Sequence, residues 1–200
     1  MTVTFSKVGV VGAGAMGRGI AQIAAQAGSE VLLLDSQPGA AQRGLEAVTA
    51  QWARLQEKGK LDAAAQAALA TRLHAADSIQ ALAECDLVIE AVVENIEVKR
   101  NLFRDLEAVV SENAALATNT SSLSVTAIAA RLARAGRFAG YHFFNPVPLM
   151  KVVEVVAGFK TDRALCDRLA AYAKEMGHAA VRTQDTPGFI VNHAGRGYGT

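Results

Sequence analysis

Lys7-Val8-Gly9-Val10-Val11-Gly12-Ala13-Gly14-Ala15-Met16-Gly17 is the stretch whose reading decides the fold. Val8–Val11 is a short β-branched run stopped by Gly12, the pattern of a buried strand. Ala15 to Ala27 is rich in Ala, Ile and Gln and ends at Gly28, the pattern of a helix with a glycine C-cap. Between them lies Gly-x-Gly-x-x-Gly, in the strand–turn–helix setting that a dinucleotide-binding turn requires. Gly12 permits the tight turn, and Gly14 lets backbone come close to a pyrophosphate. Gly17 lets the helix pack on the strand. Ala15 and Met16 open the helix, where free N–H groups and the positive dipole end face an anion.

Outward from this turn the chain alternates. Glu30–Asp35 reads as a second buried strand, and Gln42 to Lys58 as a long amphipathic helix. Asp62 is an N-cap for a helix through Leu73, and His74–Ala76 reads as a short strand. Asp86–Val92 reads as strand, Ile96–Val110 as helix, Ala114–Thr118 as strand, Val125–Ala133 as helix and Phe138–Phe143 as strand. Lys151–Ala157 and Ala179–Arg182 are two further strands around a helix at Asp162–Met176. The β-α-β alternation predicts an α/β fold: a doubly wound, mostly parallel sheet of Rossmann type with helices on both faces. Domain boundaries are expected at residues 1–186 for this domain. Residues 187–200 would be the start of a helical C-terminal domain that is otherwise essentially absent.

Asp35 ends the second strand about 20 residues beyond the glycines, where a carboxylate accepts hydrogen bonds from a ribose hydroxyl pair. The same charge repels a 2′-phosphate, which favours NAD over NADP. The competing reading is that Asp35 only caps the turn before Pro38. Half of the residues are hydrophobic (51%) and 20% charged, so a packed core is expected and disorder is not. A net charge of +1 with interspersed signs argues against a nucleic-acid or membrane surface. Cys85 and Cys166 lack metal-ligand spacing and read as reduced thiols, and no metal is expected. There is no signal-peptide pattern or apolar run of bilayer length, so a cytoplasmic location is expected.

The second half carries candidate chemistry. His142 of His142-Phe143-Phe144-Asn145-Pro146 emerges near the C-terminal end of a predicted strand, the edge where open α/β sheets bind ligands. Twelve residues on, Glu154 lies inside Val152-Val153-Glu154-Val155-Val156, and a carboxylate there is costly unless paired. Together they would form a general base with an orienting acid. Apart, they are a satisfied core histidine and a glutamate facing out from an edge strand. Thr118-Asn119-Thr120-Ser121-Ser122 offers hydroxyls and amides to a substrate oxygen or the nicotinamide ribose, or it only caps the next helix through Ser122 or Ser124. Asn192 is a substrate contact or a loop residue.

The set GAGAMGRGIAQ, LLLD, EAVVEN, NTSSL, GYHFFNPVPLMKVVEVV and DTPGFIVN, in this order and at these intervals, closely resembles the 3-hydroxyacyl-CoA dehydrogenases, over essentially the whole chain. Pro148 and Met150 make it more similar to the monofunctional short-chain enzymes. The resemblance implies NAD-dependent interconversion of L-3-hydroxyacyl-CoA and 3-oxoacyl-CoA. It implies His142 as the base, Glu154 as its charged partner, and Ser121 and Asn192 as residues that hold the substrate oxygen. Asp35 matches the ribose-binding acid, and Glu94, Lys99 and Asn145 match further cofactor contacts; Asn119 and Ser121 of the polar segment are cofactor candidates beside them. Lys58 matches a basic residue used for the coenzyme A phosphates, whereas a serine used by some relatives is Gln51 here. A homodimer is implied, formed through the second, helical domain. Another β-hydroxyacid oxidoreductase on the same fold, or a dinucleotide-binding module without turnover, are the alternatives.

Overall fold

A computed structural model describes residues 3–190. Eight strands form one sheet in the order β3-β2-β1-β4-β5-β6-β7-β8. They are β1 Lys7–Val11, β2 Glu30–Leu34, β3 Leu73–Ala76, β4 Leu87–Glu90, β5 Ala115–Thr118, β6 Phe138–Phe143, β7 Val152–Ala157 and β8 Ala179–Gln184. The helices are α1 Ala15–Ala27, α2 Ala40–Glu57, α3 Ala63–Ala70, α4 Ile96–Val109, α5 Val125–Ala129 and α6 Arg163–Glu175. All neighbouring strands run parallel except β6 and β7. The expected doubly wound, mostly parallel sheet is therefore present, with chain order reversing between β1 and β4.

Strand alternation supplies two cores. Val8 and Val10 face one way, with Leu33, Ile89 and Tyr141, and pack under α1, α2 and α6 through Ile20, Trp52 and Leu169. Val11, Val88, Leu116 and Phe138 face the other way, against Phe103 of α4 and Ile128 of α5. Burial on both faces explains why these strands read as continuous apolar runs.

Two predicted helices end early, each for a visible reason. Arg72 offers its carbonyl to the Val31 N–H at 2.7 Å, so Leu73 pairs with β2 as strand and does not extend α3. Glu107 accepts the N–H groups of Ala133 and Arg134 at 2.8 and 3.0 Å, and α5 stops at Ala129. Past β8, the chain folds back onto the domain. Asp185 caps α5 by accepting from Ser124 Oγ and the Val125 and Thr126 N–H groups, and Phe189 enters the second core. Asn192 lies outside the described residues.

Candidate active site

The glycine turn is built as its spacing requires. Gly12 has φ +106°, and a Cβ there would meet the Ala91 carbonyl at 2.5 Å. A Cβ on Gly17 would lie 1.7 Å from the Gly12 carbonyl oxygen, so α1 approaches the turn as only glycine allows. A Cβ on Gly14 would meet nothing within 4 Å, and no side chain caps α1. The helix N-terminus thus faces open space with its first amides available to an anion. Asp35 accepts the Ala13 N–H at 2.7 Å and the Gln37 N–H at 2.9 Å. It caps its turn and also ties the glycine turn to the end of β2, beside a cleft of about 330 Å³. Open space at the helix N-terminus, bordered by a carboxylate at the β2 end, fits a dinucleotide.

Antiparallel pairing of β6 with β7 puts His142 directly opposite Glu154. Their Nδ1 and Oε2 atoms are 2.8 Å apart, with His142 only 5% exposed and Glu154 fully buried. The other Glu154 oxygen, Oε1, accepts the Ile190 N–H at 2.9 Å. A carboxylate only accepts, so Nδ1 carries the shared proton and Nε2 is the basic nitrogen of the ring. Phe144 and Phe189 flank the imidazole, with ring centroids 4.4 and 5.7 Å away.

The first turn of α1 and the ends of β4, β5 and β6 meet at one cleft of about 340 Å³, lined by Met16, Glu94, Asn119, Ser121, His142 and Asn145 among others. All six are candidates from the sequence: Met16 from the glycine turn, Asn119 from the polar segment after β5, and the other four from the resemblance. Asn119 Oδ1 accepts the Phe143 N–H at 2.9 Å, which locks the β5 loop to the end of β6. Glu94 Oε1 accepts from Thr120 Oγ1 at 2.5 Å and from the Ser121 N–H at 3.0 Å. Burial works against the Glu94 charge, but the Thr120 hydroxyl and Lys99 outweigh it and hold the carboxyl below its ordinary range.

Lys99 does not line this cleft. It is 1% exposed, and its Nζ lies 2.5 Å from Glu90 Oε1 and 3.3 Å from Glu94 Oε2. Lys58 caps the C-terminal end of α2 and is not among the residues lining the His142 cleft, while Gln51 of the same helix lines a second cleft of about 290 Å³ with Arg18, Asn145 and Pro148.

Sequence reasoning passed over three residues. Glu90 ends β4 fully buried, and Asp185 clamps α5. His178, also buried, sets Nε2 3.0 Å from the Val147 carbonyl and Nδ1 3.0 Å from that of Met176, bracing the turn after Asn145. An acid inside the apolar Leu87–Glu90 strand was the available signal for Glu90.

A glycine turn feeding a helix, an acid at the end of β2 and a buried His–Glu pair at the same sheet edge define a nucleotide-binding oxidoreductase domain of the doubly wound class. Residues 7–186 match the family model described as "3-hydroxyacyl-CoA dehydrogenase, NAD binding domain". The chain belongs to the 3-hydroxyacyl-CoA dehydrogenase family, and the cofactor of this domain is NAD. It is 42% identical, over 93% of its length, to a probable 3-hydroxybutyryl-CoA dehydrogenase of Deinococcus radiodurans, of which it covers 66%. It is 43% identical, over 99% of its length, to the 3-hydroxyadipyl-CoA dehydrogenase of Escherichia coli, of which it covers 42%. A crystal structure of a 3-hydroxybutyryl-CoA dehydrogenase from E. coli K12 matches with TM-score 0.95 at 43% identity, covering 99% of this chain and 42% of that one. The chain thus spans between about two fifths and two thirds of these relatives' lengths.

Proposed function

We propose that this chain is the cofactor-binding and proton-transfer half of an enzyme that interconverts L-3-hydroxyacyl-CoA and 3-oxoacyl-CoA. The observation that carries this reading is the buried His142–Glu154 pair, 2.8 Å apart, on the cleft shared with Met16, Glu94 and Ser121. NAD supplies the hydride acceptor in the oxidative direction. His142 Nε2 takes the proton of the 3-hydroxyl as the carbonyl forms. Glu154 holds the ring in one tautomer and stabilises the imidazolium. Ser121, fixed by Glu94 through its amide, orients the substrate oxygen together with Asn192. Asn119 and Asn145 hold the cofactor side of the cleft. Lys58, further along the helix whose Gln51 lines the neighbouring cleft, meets the coenzyme A phosphates.

The substrate is an acyl-CoA thioester, and the full protein is a homodimer joined through a helical domain following this one. The reaction takes place in the cytoplasm; among the described residues no helix is long and apolar enough to cross a membrane. A panel of 3-oxoacyl-CoA thioesters and free 3-oxoacids, assayed by NADH oxidation on the full-length protein, tests the reading. Turnover of thioesters alone is expected. Preference for the free acids would assign the site to another β-hydroxyacid oxidoreductase, and no oxidation of NADH with any of them would leave a binding module.

A further inference from the structure

Three charged side chains converge behind the cleft wall. Lys99 on α4 sets its ammonium against Glu90 at 2.5 Å and Glu94 at 3.3 Å. Glu90 has no solvent exposure, and its other hydrogen bonds, from Thr118 Oγ1 and the Val92 N–H, are both 2.7 Å. Glu94 differs: its side chain is 38% exposed and borders the same cleft as His142. Two carboxylates against one ammonium leave one negative charge. Glu90 is sealed and lies closest to the ammonium, so the surplus is presented at Glu94, the member of the triad that reaches the cleft.

We propose that Glu90 is a positioning residue: by matching the Lys99 charge from behind, it leaves Glu94 as a net negative pole on the cleft wall. The pole makes the cleft favour the cationic, oxidised nicotinamide over the neutral, reduced one. Without the Glu90 charge, Glu94 alone would balance Lys99 and the pole would be cancelled. The inference rests on NAD binding in this cleft but goes beyond it, because it concerns which redox state is held more tightly.

Charge bookkeeping supplies the test. Kd values for NAD⁺ and NADH are measured by calorimetry on the full-length protein at fixed ionic strength, with thermal melts to verify folding. Glu90→Gln keeps the shape and removes the charge, and Glu94→Gln removes the pole directly. Both should raise the ratio Kd(NAD⁺)/Kd(NADH) by about three- to tenfold, the effect of losing one partly screened charge. The double variant Glu90→Gln/Lys99→Met restores a surplus of one negative charge and should bring the ratio back to the wild-type value. A purely structural role for Glu90 would weaken both nucleotides alike and leave the ratio where it was.

An unchanged ratio in Glu90→Gln, or a double variant that behaves like the single one, overturns the inference. Should Glu90→Gln fail to fold, the double variant Glu90→Gln/Lys99→Met decides: a ratio equal to the wild-type value supports the charge match, and a ratio well below it removes it. If the wild type binds neither nucleotide, the cofactor assignment itself falls and takes the inference with it. If both bind and the ratio does not move, the inference alone is lost.

Discussion

His142 has one ring nitrogen committed to a carboxylate that is itself held by a backbone amide, so its basic nitrogen is set by geometry outside the ring. His142→Ala should therefore leave NADH binding nearly intact while turnover of acetoacetyl-CoA falls by ~10²–10⁴. A variant turning over like wild type would take His142 out of the reaction. Glu154→Gln keeps the size and an acceptor for Nδ1 but loses the charge facing the imidazolium; kcat should fall with KM little changed. Asp35 carries a different prediction. Its carboxylate holds the Ala13 and Gln37 amides, so Asp35→Asn should lower NADH affinity and narrow the preference for NADH over NADPH in a fluorescence titration. Equal affinities for the two nucleotides in the wild type would contradict its role at the ribose. His142 and Asp35 were legible as residue types at a strand end. The burial of Lys99 was not, because nothing in EAVVENIEVK marks which of its acids lies beneath the lysine.

Among the elements, α1 and α5 depend on contacts from outside themselves. Gly17→Ala would put a methyl 1.7 Å from a backbone oxygen, which has no rotamer to escape into. The helix must shift off β1, and both the thermal midpoint and NADH affinity should drop together; an unaffected variant would mean that close approach of α1 to the turn is not needed for either. The short α5 is capped by Asp185 from a segment about 60 residues away. Burial pushes the Asp185 carboxyl up, but hydrogen bonds from Thr126, Ser124 and the two amides outweigh it and hold it below its ordinary 3.8. A lowered folded pKa means stability that is complete above the ordinary value and is lost as pH falls through the folded one. Asp185→Ala should thus cost about 0.5–2 kcal/mol at pH 7 in urea unfolding. The gap to wild type should close as pH drops from 3.8 through the lower folded value. A gap that persists in acid would mean that the aspartate acts through packing. Ser124 as a cap of α5 was readable locally, and its Oγ does accept the Ala127 N–H at 3.1 Å. Its second anchor was not, since a hydrogen bond across 61 residues leaves no local pattern.

For the whole molecule, the two-faced sheet makes stability a matter of two cores. Phe103 of α4 meets Phe138 of β6 edge to face at 4.6 Å, joining helix and sheet in the second core. Phe103→Ala should cost about 3–5 kcal/mol, seen as a lowered urea midpoint with a single transition. Two separate transitions would show that the cores unfold independently. What the order of residues determined by itself is the alternation of strands and helices, the glycine turn and the acid that follows it. These depend on short-range terms: a period of two or 3.6, a positive φ, a cap. What only the tertiary structure decided is who faces whom. That β7 turns antiparallel on β6, bringing His142 opposite Glu154, and that Lys99 sinks between Glu90 and Glu94, follow from strand register and side-chain packing between distant segments. Such pairings are selected by the burial and charge balance of the whole fold, and no local stretch of chain contains that balance.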